Sequence, residues 1–230
     1  MASIGRCSIF FLDVAPSRVI IVLYKHAFTR PEEKMANLGM KFDPEVLSRQ
    51  EVTTLIQSFP PSKTGIRNRA LIAVYLFAQL RCNEALDLRP EDIDWERGAI
   101  TVRRGKGGKR RVAAIPHHIL EGCVRPWSKM RGTGVYFFMT HRGGRIHDSY
   151  VRKMLKRAAT RGGITHRVHT HACRHSGACM LADANVDIRA ISAQLGHSNI
   201  STTDTYLRHL RANDVVAKVH AAFQTDRGNP

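Results

Sequence analysis

A chain of 230 residues that is 43% hydrophobic and 24% charged has an ordinary globular composition, able to bury one sizeable core with at most a small appendage. Its formal net charge of +17 and pI near 10.4 are not ordinary; they favour a polyanionic partner, nucleic acid before any other. The five cysteines, Cys7, Cys82, Cys123, Cys173 and Cys179, are odd in number and form no C-x-x-C pair, which argues against a disulfide framework or a zinc ribbon.

Residues 1–46 show no sustained period. The apolar runs SIFFL and VIIVLY are interrupted by Asp13, Pro16 and Arg18 before reaching membrane-spanning length, so neither a signal peptide nor a transmembrane helix is expected. Ser48 followed by Glu51 is a capping box, predicting a helix from about Arg49 to Ser58 that the prolines at 60 and 61 end. Residues 66–79 are apolar nearly all round and predict a helix buried in the core. Arg81 follows directly, and Glu84, three residues on, is placed to hold its guanidinium.

AITVRR and RVAAIP alternate around RGKGGK and predict a two-stranded hairpin, with Lys106 where the turn begins. Arg103, Arg104, Lys109, Arg110 and Arg111 flank that turn and are assigned to DNA backbone contacts. Two helices follow at about 117–129 and 149–160, the second with Asp148 as its N-cap, and YFFM between them reads as a short buried segment. The basic run YVRKMLKRAATRGG reads mostly as a solvated face.

Thr170 is expected to cap a helix from His171 to about Ala184, with Cys173, Gly177, Met180, Leu181 and Ala184 on one face and His171, Arg174 and His175 on another. Asn185 suits a left-handed cap. A short helix with Ile188, Ile191 and Leu195 inward is stopped by Gly196, leaving His197 at the turn. Ser201 and Asp204 then cap a helix carrying Tyr206, and RANDVVAKVHAAF forms a final amphipathic helix.

Arg81, Lys106, His171, Arg174, His197 and Tyr206 bring together two guanidiniums, one ammonium, two imidazoles and a phenol. That set suits a phosphodiester: paired arginine forks neutralise the non-bridging oxygens, and a phenol can attack phosphorus. The competing reading gives His166, His169, His171 and His175 to a metal. No cysteine or carboxylate nearby completes a tetrahedral set and Arg174 sets a positive charge against it, so no metal and no cofactor are expected.

In this order, and with LGHSNISTTDTY joining two of the positions, the residues resemble the tyrosine recombinase (phage integrase) family from about Leu47 to about Phe223. The resemblance implies a mixed α/β, mainly helical catalytic domain with a small antiparallel β-sheet over residues 47–223. A short segment 1–46, too small for the family's helical core-binding domain, would precede it and a tail 224–230 would follow. It implies site-specific cleavage and rejoining of double-stranded DNA through a 3′-phosphotyrosyl intermediate, by a homo-tetramer on paired sites, in the cytoplasm with the nucleoid and away from membranes. Tyr206 would be the nucleophile, Lys106 the general acid, Arg81 and Arg174 the phosphate clamp, His171 a proton acceptor or relay, and His197 a further bond to a non-bridging oxygen. The family usually has a glycine two residues before this first arginine; here there is Gln79. The alternative keeps the fold without the reaction, as a catalytically silent or truncated relic that binds DNA.

Overall fold

The computed structural model describes residues 46–103 and 110–197, together with the backbone of two short strands, β1 (Phe10–Leu12) and β2 (Val19–Ile21), paired antiparallel with Phe10 opposite Ile21. The fold is mainly helical with a small antiparallel sheet, as expected.

Helix α1 spans Arg49–Gln57 and its capping box forms as predicted: Glu51 N–H donates to Ser48 Oγ (3.2 Å) and Ser48 N–H to Glu51 Oε2 (2.8 Å). Helix α2, Lys63–Phe77, starts three residues earlier than the apolar run because Ser62 caps it through Gly65 N–H. Residues 70–76 are wholly buried, so α2 is the central rod of the core. It ends into Gln79, whose φ of 50° turns the chain sharply before Arg81 opens the short helix α3, Cys82–Leu86.

The hairpin forms from β4 (Ala99–Val102) and β5 (Arg111–Ala114), with Val102 opposite Arg111 and Ile100 opposite Ala113. A third strand the sequence reading did not include, β3 (Ile93–Asp94), pairs with β4 and leaves β5 at the sheet edge. Two residues are too few to show an alternation.

The helix expected at 117–129 is α4 (His117–Ile119), a π turn (Leu120–Val124) and α5 (Arg125–Met130) run together. Trp127 Nε1 donates to Phe137 O (2.9 Å), pinning the buried Phe137–Met139 segment. Helix α6, Asp148–Arg161, is capped by His147 rather than Asp148: the imidazole Nδ1 accepts from Ser149 N–H.

Helix α7 spans Thr170–Asp183, and here too the residue before the predicted cap does the capping: His169 Nδ1 accepts from Ala172 N–H (3.2 Å). The expected split into an inner and an outer face does not hold. Ala172 to Cys179 are all buried, because α7 is packed by α2, α6 and α8, while Ala184 is exposed. Gly177 makes the α2 contact possible, since a Cβ there would lie 1.9 Å from Leu76 O. Asn185 takes the left-handed conformation expected of it (φ 59°). Helix α8, Ile188–Leu195, buries Ile191 and Leu195 and ends at Gly196 (φ 62°). The predicted helices around Tyr206 and Val215–Phe223 lie outside the described residues. Among the described residues no helix is long and apolar enough to cross a membrane.

Candidate active site

The C-terminal end of α8 organises the site. A helix leaves its last carbonyls without intrahelical partners, and they carry the negative end of the macrodipole. Three consecutive carbonyls here meet three guanidiniums: Gln194 O accepts from Arg111 Nε (3.3 Å), Leu195 O from Arg174 Nη2, and Gly196 O from Arg81 Nη2 (3.3 Å). The arginines come from β5, α7 and the N-cap of α3.

Glu84 is their shared counter-ion. Its side chain is only 5% exposed, and it accepts from Arg81 Nη1 (2.8 Å), from the Arg81 N–H (2.8 Å) and from both terminal nitrogens of Arg111 (2.8 Å each); Arg174 Nη1 lies 3.9 Å away. Burial alone would push the carboxyl upward, but the Arg111 fork and the Arg81 bonds outweigh it and hold its pKa down at about 2. Among the described residues, three guanidiniums thus converge on this one carboxylate. Arg174 is nearly buried, with Nη1 on Gln79 O (2.5 Å), whereas the Arg81 side chain is 30% exposed and is the most open of the three.

His197, the first residue past Gly196, sets Nε2 3.5 Å from Arg174 Nη2. Burial, then Arg174, Arg81, Arg111 and His171, lower its pKa to about 4. The ring is thus neutral at pH 7 and keeps one N–H to donate. His171, in the first turn of α7, lies parallel to His169 with ring centroids 6.2 Å apart. The protein packed around it, then His169, Arg174 and Arg81, lower its pKa as well.

Of the sequence-predicted residues, the structure brings together Arg81, Arg174 and His197, with His171 close enough to be influenced by both arginines. Lys106 and Tyr206 lie outside the described residues, as do Arg104 and Lys109. Arg103 sits on the exposed side of the hairpin, bonded to Asp92 (2.5 Å) and Glu91 (3.1 Å), and Arg110 is exposed. Arg111, assigned to DNA with its basic neighbours, instead has its guanidinium on Glu84 and a side chain only 12% exposed. Pairing register carries the reason: Arg111 is opposite Val102 and two residues from Ala113, so it shares their buried face. The histidines proposed for a metal take separate roles, His166 bonding Glu51 (2.9 Å), His169 capping α7 and His175 lying buried beside Cys179.

Sequence reading missed Gln194 altogether. Its amide takes the place of a strand neighbour on the edge of β5, with Oε1 accepting from Ala114 N–H (2.8 Å) and Nε2 donating to Ala114 O (2.7 Å), so that α8 is fastened to the sheet.

The model of the phage integrase family matches residues 45–213, which takes in every residue of this cluster. The tyrosine recombinase XerA of Thermococcus onnurineus is 38% identical over 176 residues, 73% of this chain; the chain spans 61% of that relative's length. A crystal structure of XerA recombinase superposes with a TM-score of 0.65 at 26% identity, covering 83% of this chain and 68% of that one. XerH site-specific recombinase, in a pre-cleavage complex with its difH substrate, superposes with a TM-score of 0.64 at 26% identity, covering 76% and 54%. With most of its length matched by one family model and its fold shared with solved recombinases, the chain belongs to the phage integrase family.

Proposed function

We propose that the chain catalyses site-specific DNA strand transfer, cleaving and rejoining strands through a 3′-phosphotyrosyl intermediate. The observation that carries this reading is the convergence of Arg81, Arg174 and Arg111 on the carboxylate of Glu84 at the end of α8. Paired guanidinium forks suit the non-bridging oxygens of a phosphodiester, and Arg81, at the open side, is the first of the three that it meets.

In this reading Arg81 and Arg174 bond the non-bridging oxygens and neutral His197 donates one further N–H. The Tyr206 oxygen attacks phosphorus, its proton passing to His171. The bond to the 5′-oxygen breaks, and Lys106 protonates the leaving alkoxide. The phosphotyrosyl ester keeps the energy of the broken bond, so a 5′-hydroxyl reverses the step without an external energy source. Because the arginines supply the charge stabilisation, cleavage proceeds in EDTA.

XerH, a site-specific recombinase, is captured with its difH substrate in the related solved complex, and the net charge of +17 suits double-stranded DNA as the partner here. The chain acts as a homo-tetramer on paired sites, with residues 47–223 as the catalytic unit. Single-site binding rests on phosphate contacts, each contributing roughly 0.9 to the slope of log affinity against log salt. The test is incubation with a nicked duplex carrying the repeats that flank the chain's coding sequence, in EDTA. A denaturant-resistant protein–DNA adduct supports the reading; its absence across the flanking repeats, with DNA bound, opposes it.

A further inference from the structure

We propose that Arg111 is a positioning residue of the strand-transfer site, sharing the oxygens of Glu84 so that Arg81 keeps donors aimed at phosphate, and fastening the end of α8 to the hairpin. The inference rests on the function just proposed.

Arg111 spends its donors inside the protein: Nη1 and Nη2 grip both oxygens of Glu84 at 2.8 Å, and Nε reaches Gln194 O. Glu84 Oε1 is shared between Arg111 and Arg81. A carboxylate held bidentately by one arginine has less charge to give another. Without Arg111, both oxygens of Glu84 would turn to Arg81 and Arg174 and draw Arg81, the most open of the three guanidiniums, out of line with the phosphate. The second half of the role is mechanical. Arg111 lies on β5, and its bond to Gln194 O, beside the Gln194 amide on Ala114, ties that strand to the helix end that places His197. Gly196 belongs to the same device, since a Cβ there would lie 2.5 Å from Arg111 Cδ.

Among the described residues, the charged groups facing Glu84 are Arg81 at the N-cap of α3, Arg111 from β5 and Arg174 from α7. His197 and His171 lie beside this cluster, with Arg174 and Arg81 among the causes that lower the pKa of each, and Arg111 a further cause for His197.

The experiment compares wild type, Arg111→Gln and Arg111→Lys in the full chain by three readouts. Carbon-13 NMR of the Glu84 carboxyl in the free protein should show it titrating about one to three pH units higher in Arg111→Gln than in wild type, with Arg111→Lys between them. Affinity for a fluorescent duplex should keep its salt slope, because Arg81 and Arg174 still meet the phosphate and only its alignment suffers, whereas direct contact of Arg111 with a phosphate would show as a slope lowered by about 0.9 in the variant. Adduct formation at saturating nicked duplex should fall about a hundredfold in Arg111→Gln, with partial recovery in Arg111→Lys. A residue needed only for stability would lower the unfolding midpoint and leave the Glu84 titration in place. An unmoved Glu84, a slope reduced by one phosphate, or Arg111→Lys matching wild type in all three readouts overturns the proposal. If the wild type forms no adduct, the strand-transfer reading fails while titration and salt slope still decide the role of Arg111; should Arg111→Gln not fold, Arg111→Lys decides it.

Discussion

Gln79 holds a left-handed backbone conformation, φ 50°, and in doing so presents its carbonyl oxygen to Arg174 Nη1 at 2.5 Å. A non-glycine residue there costs about 1–2 kcal/mol. Its side chain fills the space beside Gly177, and its amide oxygen is buried with no hydrogen-bond partner among the described residues. The strain thus accompanies the aiming of one carbonyl at Arg174, the second arginine of the proposed phosphate clamp.

Gln79→Gly relieves the strain but frees the unfolded chain and empties the space beside Gly177, so its stability should stay within about 1 kcal/mol of wild type. Gln79→Val, branched at Cβ in the same conformation, should lose about 2 kcal/mol or more. Urea midpoints measure both; a valine variant as stable as wild type would remove the strain from the account.

Gly177→Ala should be far costlier than an added methyl group suggests, because the new Cβ meets the Leu76 carbonyl at 1.9 Å and neither helix is free to yield. We expect a loss of about 3 kcal/mol or more, read as a lowered thermal midpoint. A loss below about 1 kcal/mol would mean that α2 and α7 separate more easily than their packing implies.

Stability should depend on pH through His197. Its pKa is about 4 in the folded chain against an ordinary 6.5, so between those values the unfolded chain binds more protons and stability falls as the pH falls. His171 is shifted in the same direction. Glu84 acts lower on the scale: held at about 2 against an ordinary 4.5, it contributes stability above pH 4.5 that disappears as the pH drops toward 2. His197→Gln should therefore flatten the dependence between pH 4 and 6.5 while leaving acid unfolding below pH 4 in place. An unchanged slope in that window would show that His197 is not the group responsible.

What could be read in advance was local. The Ser48–Glu51 capping box and the Arg81–Glu84 pair both lie three residues apart, and the Asn185 and Gly196 turns depend on single residue types. The family resemblance rested on side chains with distinctive chemistry. What escaped was carried by distance or by the backbone. Arg111 meets Glu84 across 27 positions, and its basic neighbours disguised it, although alternation with Ala113 placed it on the inner face. The carbonyls of Gln194, Leu195 and Gly196 have no sequence identity at all, so a clamp built on a helix end was invisible. At the starts of α6 and α7, His147 and His169 took the capping positions from Asp148 and Thr170.

The division of labour proposed for Lys106 and Arg174 separates on a substrate whose 5′-bridging oxygen is replaced by sulfur, a leaving group that needs little protonation. Lys106→Ala should cleave it nearly as fast as wild type. Arg174→Lys, which keeps a charge but loses the planar fork, should stay slowed by about 3 kcal/mol in the barrier. Equal rescue of both, or of neither, would take the general-acid role from Lys106.

The central claim is that Tyr206 becomes covalently joined to DNA. Adduct trapped on the nicked duplex, digested with protease and sequenced by mass spectrometry, should carry its nucleotide on Tyr206 as a 3′-phosphotyrosine, and Tyr206→Phe should form none while binding DNA with near-normal affinity. An adduct mapped to another residue, or formed by the phenylalanine variant, would contradict the account.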